Sequence, residues 1–132
     1  MTGGCLCGKV RYTTTSELRP VIGCHCVQCR KTSGHYVAAT SARRDALQIT
    51  GKVTWYQSSE TARRGFCATC GSSLFWDGEG ENISIHAGTL DIPTGLALSA
   101  HIFVADKGDY YSLDEDLPQA AGDDPALTTK VI

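Results

Sequence analysis

Residues 4–8 read GCLCG, and residues 66–72 read FCATCGS. In an extended chain, residues i and i+2 point to the same face, so the two cysteines of the first motif can offer both sulfurs on one side. A C-x-x-C turn does the same across a tight reversal, and Gly71 supplies the conformational freedom that such a turn commonly uses. Because four thiolates close a tetrahedral zinc site, the two motifs predict a structural zinc centre that joins the N-terminal strand to a distant turn. Its predicted ligands are Cys5, Cys7, Cys67 and Cys70.

A second cysteine group lies in the middle of the chain, where residues 24–29 read CHCVQC. It offers three sulfurs and no fourth cysteine is left to complete it, which is the ligand count of catalytic zinc sites, because the open position admits water or substrate. The group leads into a predicted short helix with Arg30 and Lys31, and free N–H groups and cationic neighbours there favour a thiolate. The predicted ligands of this second site are Cys24, Cys26 and Cys29.

The residues leave other uses of these cysteines open. A disulfide framework is disfavoured, because seven is an odd number of cysteines. Thiolates suit iron–sulfur clusters as well as zinc, and a disulfide to Cys29 would allow redox chemistry. In a purely structural module, a histidine would close the second site. His25 is a poor candidate because it points away from both sulfurs of an extended C-x-C, whereas His35 lies past the Gly34 turn and is sterically freer.

The composition is that of one globular domain: 132 residues, 42% of them hydrophobic and 20% charged. No apolar run approaches the ~18 to 20 residues that a membrane helix needs, and the first residues lack the basic and apolar regions of a signal peptide. We therefore expect a cytoplasmic protein, whose thiols stay reduced, with no membrane contact. Twelve Lys and Arg against fourteen Asp and Glu give no reason to expect nucleic acid as a partner.

Short runs of alternating apolar and polar residues, separated by turn residues, predict an all-β fold. A hairpin is expected between residues 73–76 and residues 83–86, and a long strand at residues 96–104. One short helix is expected at residues 28–33, ended by Gly34. We expect one zinc-binding domain at residues 1–118 and a loosely attached tail at residues 119–132, where little core-forming pattern remains.

The order of the cysteine motifs resembles the glutathione-dependent formaldehyde-activating enzyme family, whose members carry G-x-C-x-C-G, then C-x-C-x-x-C-R, then F-C-x-x-C-G-S. In this chain the three motifs stand at residues 4–8, 24–30 and 66–72. Residues 87–91 and 101–104 are similar to later strands of that family. The resemblance covers roughly residues 3–118.

This resemblance implies a β-tent fold, in which two antiparallel sheets are pinned together by zinc. It implies the same division of ligands into a structural site of four cysteines and a catalytic site of three. It also implies a carbon–sulfur lyase activity, the formation of S-(hydroxymethyl)glutathione from glutathione and formaldehyde. The chain departs from the family at His35 and Tyr36, where members usually have a small residue and then Phe, so two polar groups are expected near the pocket.

The three-sulfur group suggests a mechanism. We expect a thiol substrate to occupy the open position of the three-cysteine zinc, where coordination would deprotonate it, and the thiolate to attack a carbonyl such as formaldehyde. Arg30 and Lys31 are candidates to pair with a substrate carboxylate. The predicted partners are therefore a small-molecule thiol and an aldehyde. The alternative is a non-catalytic zinc-stapled β module that binds a protein or senses thiols or metal, with His35 closing the second site.

Overall fold

The structure is a computed structural model that describes residues 1–114 and 116–128. In these ranges the strands are β1 Thr2–Gly4, β2 Arg11–Thr14, β3 Val21–Cys24, β4 Val37–Arg43, β5 Leu47–Thr50, β6 Thr54–Gln57, β7 Arg63–Phe66, β8 Ser73–Asp77, β9 Asn82–His86 and β10 Leu98–Ile102. The helices there are α1 Val27–Ser33, α2 Pro125–Thr128 and 3-10 turns at Arg44–Ala46, Ala87–Thr89 and Val104–Asp106. Within the same ranges, no helix is long and apolar enough to cross a membrane. The predicted all-β class is confirmed.

The strands of the described ranges form two sheets. The small sheet has the order β1-β2-β5, and the large sheet has the order β10-β3-β4-β9-β8-β7-β6. Neighbouring strands are antiparallel, as predicted, except that β10 runs parallel to β3. This arrangement is possible because residues 87–97 carry the chain from β9 back to the far edge of the large sheet.

The last strand is shorter than the sequence predicts. The alternating pattern suggests a strand over residues 96–104, whereas β10 covers Leu98–Ile102. It ends there because Phe103 has a left-handed backbone, with φ of 53°, which breaks the extended conformation of a strand. The predicted hairpin of β8 and β9, in contrast, is present.

The hydrophobic core lies between the small sheet and one face of the large sheet. Tyr12 of β2 packs edge-on against Phe75 of β8, with ring centroids 5.3 Å apart. The Tyr12 hydroxyl is satisfied by the Thr89 hydroxyl at 2.7 Å, and Ile83 and Ile85 of β9 are buried in the same cluster. Burial raises the pKa of Tyr12 to about 12, so this phenol is neutral at physiological pH.

The opposite face of the large sheet carries polar side chains as well as apolar ones, among them Ile22 and Val37. Since side chains alternate along a strand, β9 directs Ile83 and Ile85 to the core and Ser84 and His86 to the other side, where both line a cavity. The position paired with Ser84 on β4 is Ser41, which lines the same cavity. The sheet therefore separates the core from the candidate site.

Helix α1 follows the central cysteines. The Cys26 sulfur caps its start by accepting a hydrogen bond from the Cys29 N–H at 3.3 Å. Gly34 ends it with φ of 84°, and the Gly34 N–H donates to the Arg30 carbonyl at 2.9 Å. The predicted helix is confirmed, and it begins at Val27, one residue before the expected start. This short helix folds the third cysteine back toward the first two.

The C-terminal segment was expected to be loosely attached, but residues 119–128 make specific contacts with the sheet. Gln119 forms a parallel bridge with His101 of β10, and the Phe103 N–H donates to the Gly122 carbonyl at 3.0 Å. Ala120 and Leu127 also pack against the apolar cluster of Ile22, Ala100 and Ile102. The backbone bonds could not be predicted, because they need no side-chain pattern. The remainder of the expected tail, residues 129–132, lies outside the described residues.

Candidate active site

The first cysteine group joins the two sheets. Cys5 and Cys7 follow β1 of the small sheet, whereas Cys67 and Cys70 form a turn after β7 of the large sheet. The sulfur of Cys7 lies 3.6 Å from that of Cys5 and 3.8 Å from that of Cys67, and all four sulfurs lie within 4.8 Å of one another. Separations of about 3.8 Å are those of a tetrahedral site with metal–sulfur bonds of about 2.3 Å. The group can therefore hold a metal ion.

Backbone hydrogen bonds shape both halves of this first group. The N–H of Gly71 donates to the Cys67 carbonyl at 2.7 Å and closes the C-x-x-C turn. The two motifs are also linked directly, because the Leu6 N–H donates to the Ser72 hydroxyl at 3.0 Å. The Ser72 side chain and backbone lower the pKa of Cys70 to about 5, which favours the thiolate form that a metal requires.

The second group gathers Cys24, Cys26 and Cys29 at the junction of β3 and α1. Their sulfurs also lie within 4.8 Å of one another. Contacts with Cys24 and then Cys29 lower the pKa of Cys26 to about 2, and contacts with Cys26 raise the pKa of Cys24. Because the pKa of Cys29 is raised as well, the group by itself favours one thiolate, at Cys26, and a cation among the sulfurs would allow all three to be thiolates.

Neither candidate histidine joins this three-sulfur group in the described part of the chain. His25 points away from the sulfurs, as the extended C-x-C predicts, and its Nε2 lies 2.8 Å from Nδ1 of His101. Its other ring nitrogen bonds to the Tyr111 hydroxyl. His35 bonds through Nδ1 to the Tyr110 hydroxyl at 2.5 Å and lies on the surface. Both imidazoles therefore have partners other than the sulfurs.

The two cations suggested by the sequence lie on the outside of α1. The Nε of Arg30 donates to the Asp106 carbonyl at 3.0 Å, and Lys31 is exposed. Neither residue lines the cavity beside the cysteines. The structure does not bring them together with the three sulfurs.

The cation that does lie beside the three sulfurs is Arg64 on β7. Its side chain is buried, and its Nη1 and Nη2 lie 3.8 Å and 3.7 Å from the Cys29 sulfur. Arg64 is not among the site residues that the sequence predicts, because its neighbour Arg63 is the same residue type. The available signal was strand alternation, which sends two successive arginines to opposite faces. Arg63 indeed bonds to Asp77 at 2.8 Å and lies over the Trp55 ring.

The three-sulfur group opens into a cavity of about 560 Å³ against the face of the large sheet opposite the core. This volume is within the ordinary range for small-molecule sites. Besides the three cysteines, its polar and aromatic lining includes Arg19, Ser41, Arg64, Trp76, Ser84 and His86. Burial, together with nearby Arg64, lowers the pKa of His86 to about 4, so its ring is neutral near pH 7.

Comparisons with known proteins agree with this architecture. A relative named an uncharacterized lyase, from Schizosaccharomyces pombe, is 29% identical over 112 residues, which cover 83% of this chain and 82% of that protein. The crystal structure of a Rhodobacter sphaeroides protein superposes with a TM-score of 0.57 and 27% identity, covering 72% of this chain and 92% of the other. Residues 1–106 match the family described as glutathione-dependent formaldehyde-activating enzyme. The chain belongs to the glutathione-dependent formaldehyde-activating enzyme family.

Proposed function

We propose that the protein is a zinc-dependent enzyme of the carbon–sulfur lyase type, which adds a thiol such as glutathione to formaldehyde or another small aldehyde. The observation that carries the proposal is the three-sulfur group that opens into a cavity. The family and the name of the fission-yeast relative support a lyase-type reaction. A cytoplasmic setting belongs to the proposal, because it keeps the cysteines reduced.

The numbers of cysteine ligands in the two groups suggest two zinc ions with different roles. The group of Cys5, Cys7, Cys67 and Cys70 supplies four sulfurs at tetrahedral spacing, so we assign it a structural zinc. The group of Cys24, Cys26 and Cys29 supplies three, so we assign it a catalytic zinc with one position left for the substrate. Among the described residues, no histidine nitrogen belongs to the cluster of ligand atoms that the three sulfurs form.

Zinc bound at the second site would lower the pKa of a coordinated thiol and so supply a thiolate at neutral pH. Cys24, Cys26 and Cys29 would hold that zinc, and the cavity beside them has room for the aldehyde, so the two reactants would be bound next to each other and would not have to meet in solution. The substrate sulfur forms a bond to the aldehyde carbon as the carbonyl π bond breaks. The thiol proton ends on the aldehyde oxygen, so atoms and charge balance.

Arg64 supports this arrangement electrostatically. With zinc and substrate bound, three cysteine thiolates and a substrate thiolate would carry four negative charges, of which the zinc ion would neutralise two. The Arg64 guanidinium lies within 3.8 Å of the Cys29 sulfur and supplies one further positive charge in a buried place. Because charge interactions are strong away from water, this contact favours the thiolate-rich state.

The first prediction tests the proposed reaction with Cys26→Ser. Metal analysis should find two zinc ions in the wild-type protein and one in the variant. Exchange NMR of glutathione and formaldehyde should show faster adduct formation with the wild-type protein than without protein, and the variant should lose this acceleration. Loss of one zinc ion with full retention of the acceleration would refute the catalytic role of the three-cysteine site.

A further inference from the structure

Arg19 is a buried cation that forms no ion pair in the described ranges, although the carboxylate of exposed Asp123 is near enough to attract it. It lies just before β3 and is only 5% exposed. Its Nη1 donates to the Thr128 carbonyl at 2.7 Å and its Nη2 to the Ala39 carbonyl at 2.9 Å, and both partners are neutral. None of the ion pairs among the described residues involves Arg19. A buried charge without a partner is costly, so the guanidinium calls for an anion.

A second unpartnered donor lies beside it. In the described residues, the Nε of Arg19 and the hydroxyl of Ser41 are both buried without a hydrogen-bond partner. The two residues are neighbours, because the Arg19 N–H donates to the Ser41 carbonyl at 3.2 Å. Both side chains line the cavity that holds the three-sulfur group. Buried donors are nearly always paired in folded proteins, so this pair indicates a missing acceptor.

The other unpartnered atoms point to the same cavity. Among the described residues, the remaining buried polar side-chain atoms without a partner are Nε of Arg64 and Nε2 of His86. Both residues line this cavity as well. Arg64 already has the sulfur of Cys29 beside it, whereas Arg19 has no such neighbour. The Nε–H of Arg64 is a donor like that of Arg19, and both call for acceptor groups on a ligand, whereas the role of Nε2 in the neutral His86 ring depends on the tautomer.

The strand register shows how far the Arg19 guanidinium lies from the three sulfurs. Cys24 of β3 pairs with Val37 of β4, and the Arg19 guanidinium bonds to Ala39, two residues further along β4. Two residues of a strand span about 7 Å. One ligand can therefore place its sulfur at the cysteines and an anionic group, several bonds away, at Arg19. A short thiol without a carboxylate would leave the guanidinium unpaired.

We propose that Arg19 and Ser41 form an anion subsite that binds a carboxylate of the thiol substrate. This inference rests on the proposed function, since it names the class of thiol as one that carries a carboxylate several bonds from its sulfur. The carboxylates that line the cavity, those of Glu79, Glu81 and Asp123, belong to exposed residues. The subsite lies inside the cavity, in contrast to the surface positions of Arg30 and Lys31.

The second prediction tests the subsite with a probe that cannot react. S-methylglutathione has a blocked sulfur and two carboxylates, and calorimetry on the zinc-loaded protein measures its Kd. Its diethyl ester should bind at least about tenfold more weakly. Ser41→Ala removes a hydroxyl that makes no hydrogen bond, so it should fold normally and weaken binding about threefold. Arg19→Gln should weaken binding on the order of tenfold or more.

The control is Arg43→Gln, which removes one positive charge from an exposed pair with Asp45 outside the cavity and should leave the Kd unchanged. Three results would overturn the subsite. The wild-type protein binds S-methylglutathione and its diethyl ester equally well, it does not bind S-methylglutathione, or the Kd is unchanged in Ser41→Ala and in folded Arg19→Gln. The NMR adduct assay gives a separate answer. If the wild-type protein accelerates adduct formation but the Kd of the probe is the same in the variants, only the proposed function is retained. If the Kd depends on Arg19 and Ser41 but the protein does not accelerate adduct formation, only the subsite is retained.

Discussion

At the scale of single residues, Arg63 and Arg64 show how strand alternation assigns two identical side chains to different tasks. Arg63 is half-exposed and pairs with Asp77. Burial alone would raise the pKa of Asp77, but the guanidiniums of Arg44 and Arg63 outweigh it and lower that pKa. Arg64 faces the cavity and reaches Cys29. One arginine therefore stabilises the sheet, and the other stabilises the charge of the three-sulfur group.

The third prediction concerns Arg64→Gln. Loss of the positive charge beside Cys29 should weaken zinc binding at the second site on the order of tenfold, the usual effect of removing an outer partner of a metal ligand. Competition with a chromophoric chelator measures this affinity. Arg63→Gln is the matched control, because it removes the same charge one residue away without touching the sulfurs. Equal affinities in the two variants would contradict the role given to Arg64.

Residues within one cysteine motif were predictable, whereas the residues that complete the site were not. Spacing of two or three along the chain is enough to predict that sulfurs meet, because local geometry fixes their directions. Arg19, Ser41 and Arg64 reach the cavity from different segments, and only the register of β3, β4 and β7 brings them there. Strand alternation separates Arg64 from Arg63, but the positions of the three residues in the sequence do not show that they meet in one cavity. Arg30 and Lys31 were suggested for the opposite reason, because they are near the cysteines in sequence.

At the scale of elements, the turn after β7 depends on one backbone conformation. Gly71 has φ of 77°, a left-handed value that turns the following chain back so that the Ser72 carbonyl accepts a hydrogen bond from the Cys67 N–H at 3.0 Å. A Cβ at this position would meet no atom within 4 Å. A side chain there would therefore be disfavoured by the backbone alone and not by crowding.

The fourth prediction is that Gly71→Ala lowers the free energy of unfolding by about 1 kcal/mol, the cost of a left-handed alanine. Denaturant titration of the zinc-loaded protein measures the change. Gly122→Ala is the matched control, since a Cβ there also meets no atom within 4 Å and its φ is not left-handed. It should cause no loss of stability. A similar loss in both variants would show that the turn does not require glycine.

Elements whose ends are marked by residues close in sequence were predicted correctly. Gly34 marked the end of α1, and the alternating residues of β8 and β9 marked their hairpin. The parallel pairing of β10 with β3 depends on where the chain returns after a long connection, which no local pattern encodes. The attachment of residues 119–128 combines backbone bonds, which every sequence can form, with the packing of Ala120 and Leu127 on a distant apolar cluster. The part of the fold that the sequence did not predict is therefore the part held by long-range contacts.

At the scale of the whole molecule, the large sheet divides two functions between its faces. One face packs with the small sheet into the core, where Tyr12 meets Phe75. The other face carries polar side chains and bounds the cavity. The first cysteine group connects the two sheets, whereas the second lies within the large sheet and α1. The two proposed zinc ions should accordingly have different effects on stability.

The fifth prediction compares Cys70→Ser with Cys26→Ser, and each variant should lose one zinc ion. The first site joins Cys7 and Cys67, which are sixty residues apart. Closing a loop of that length lowers the conformational entropy of the unfolded chain and so stabilises the folded state by about 4 kcal/mol. The second site closes a loop of only about six residues, for which the same stabilisation is about 2 kcal/mol. Cys70→Ser should therefore lower Tm, followed by circular dichroism, much more than Cys26→Ser. Equal losses, or unfolding of Cys26→Ser alone, would contradict the division into structural and catalytic zinc.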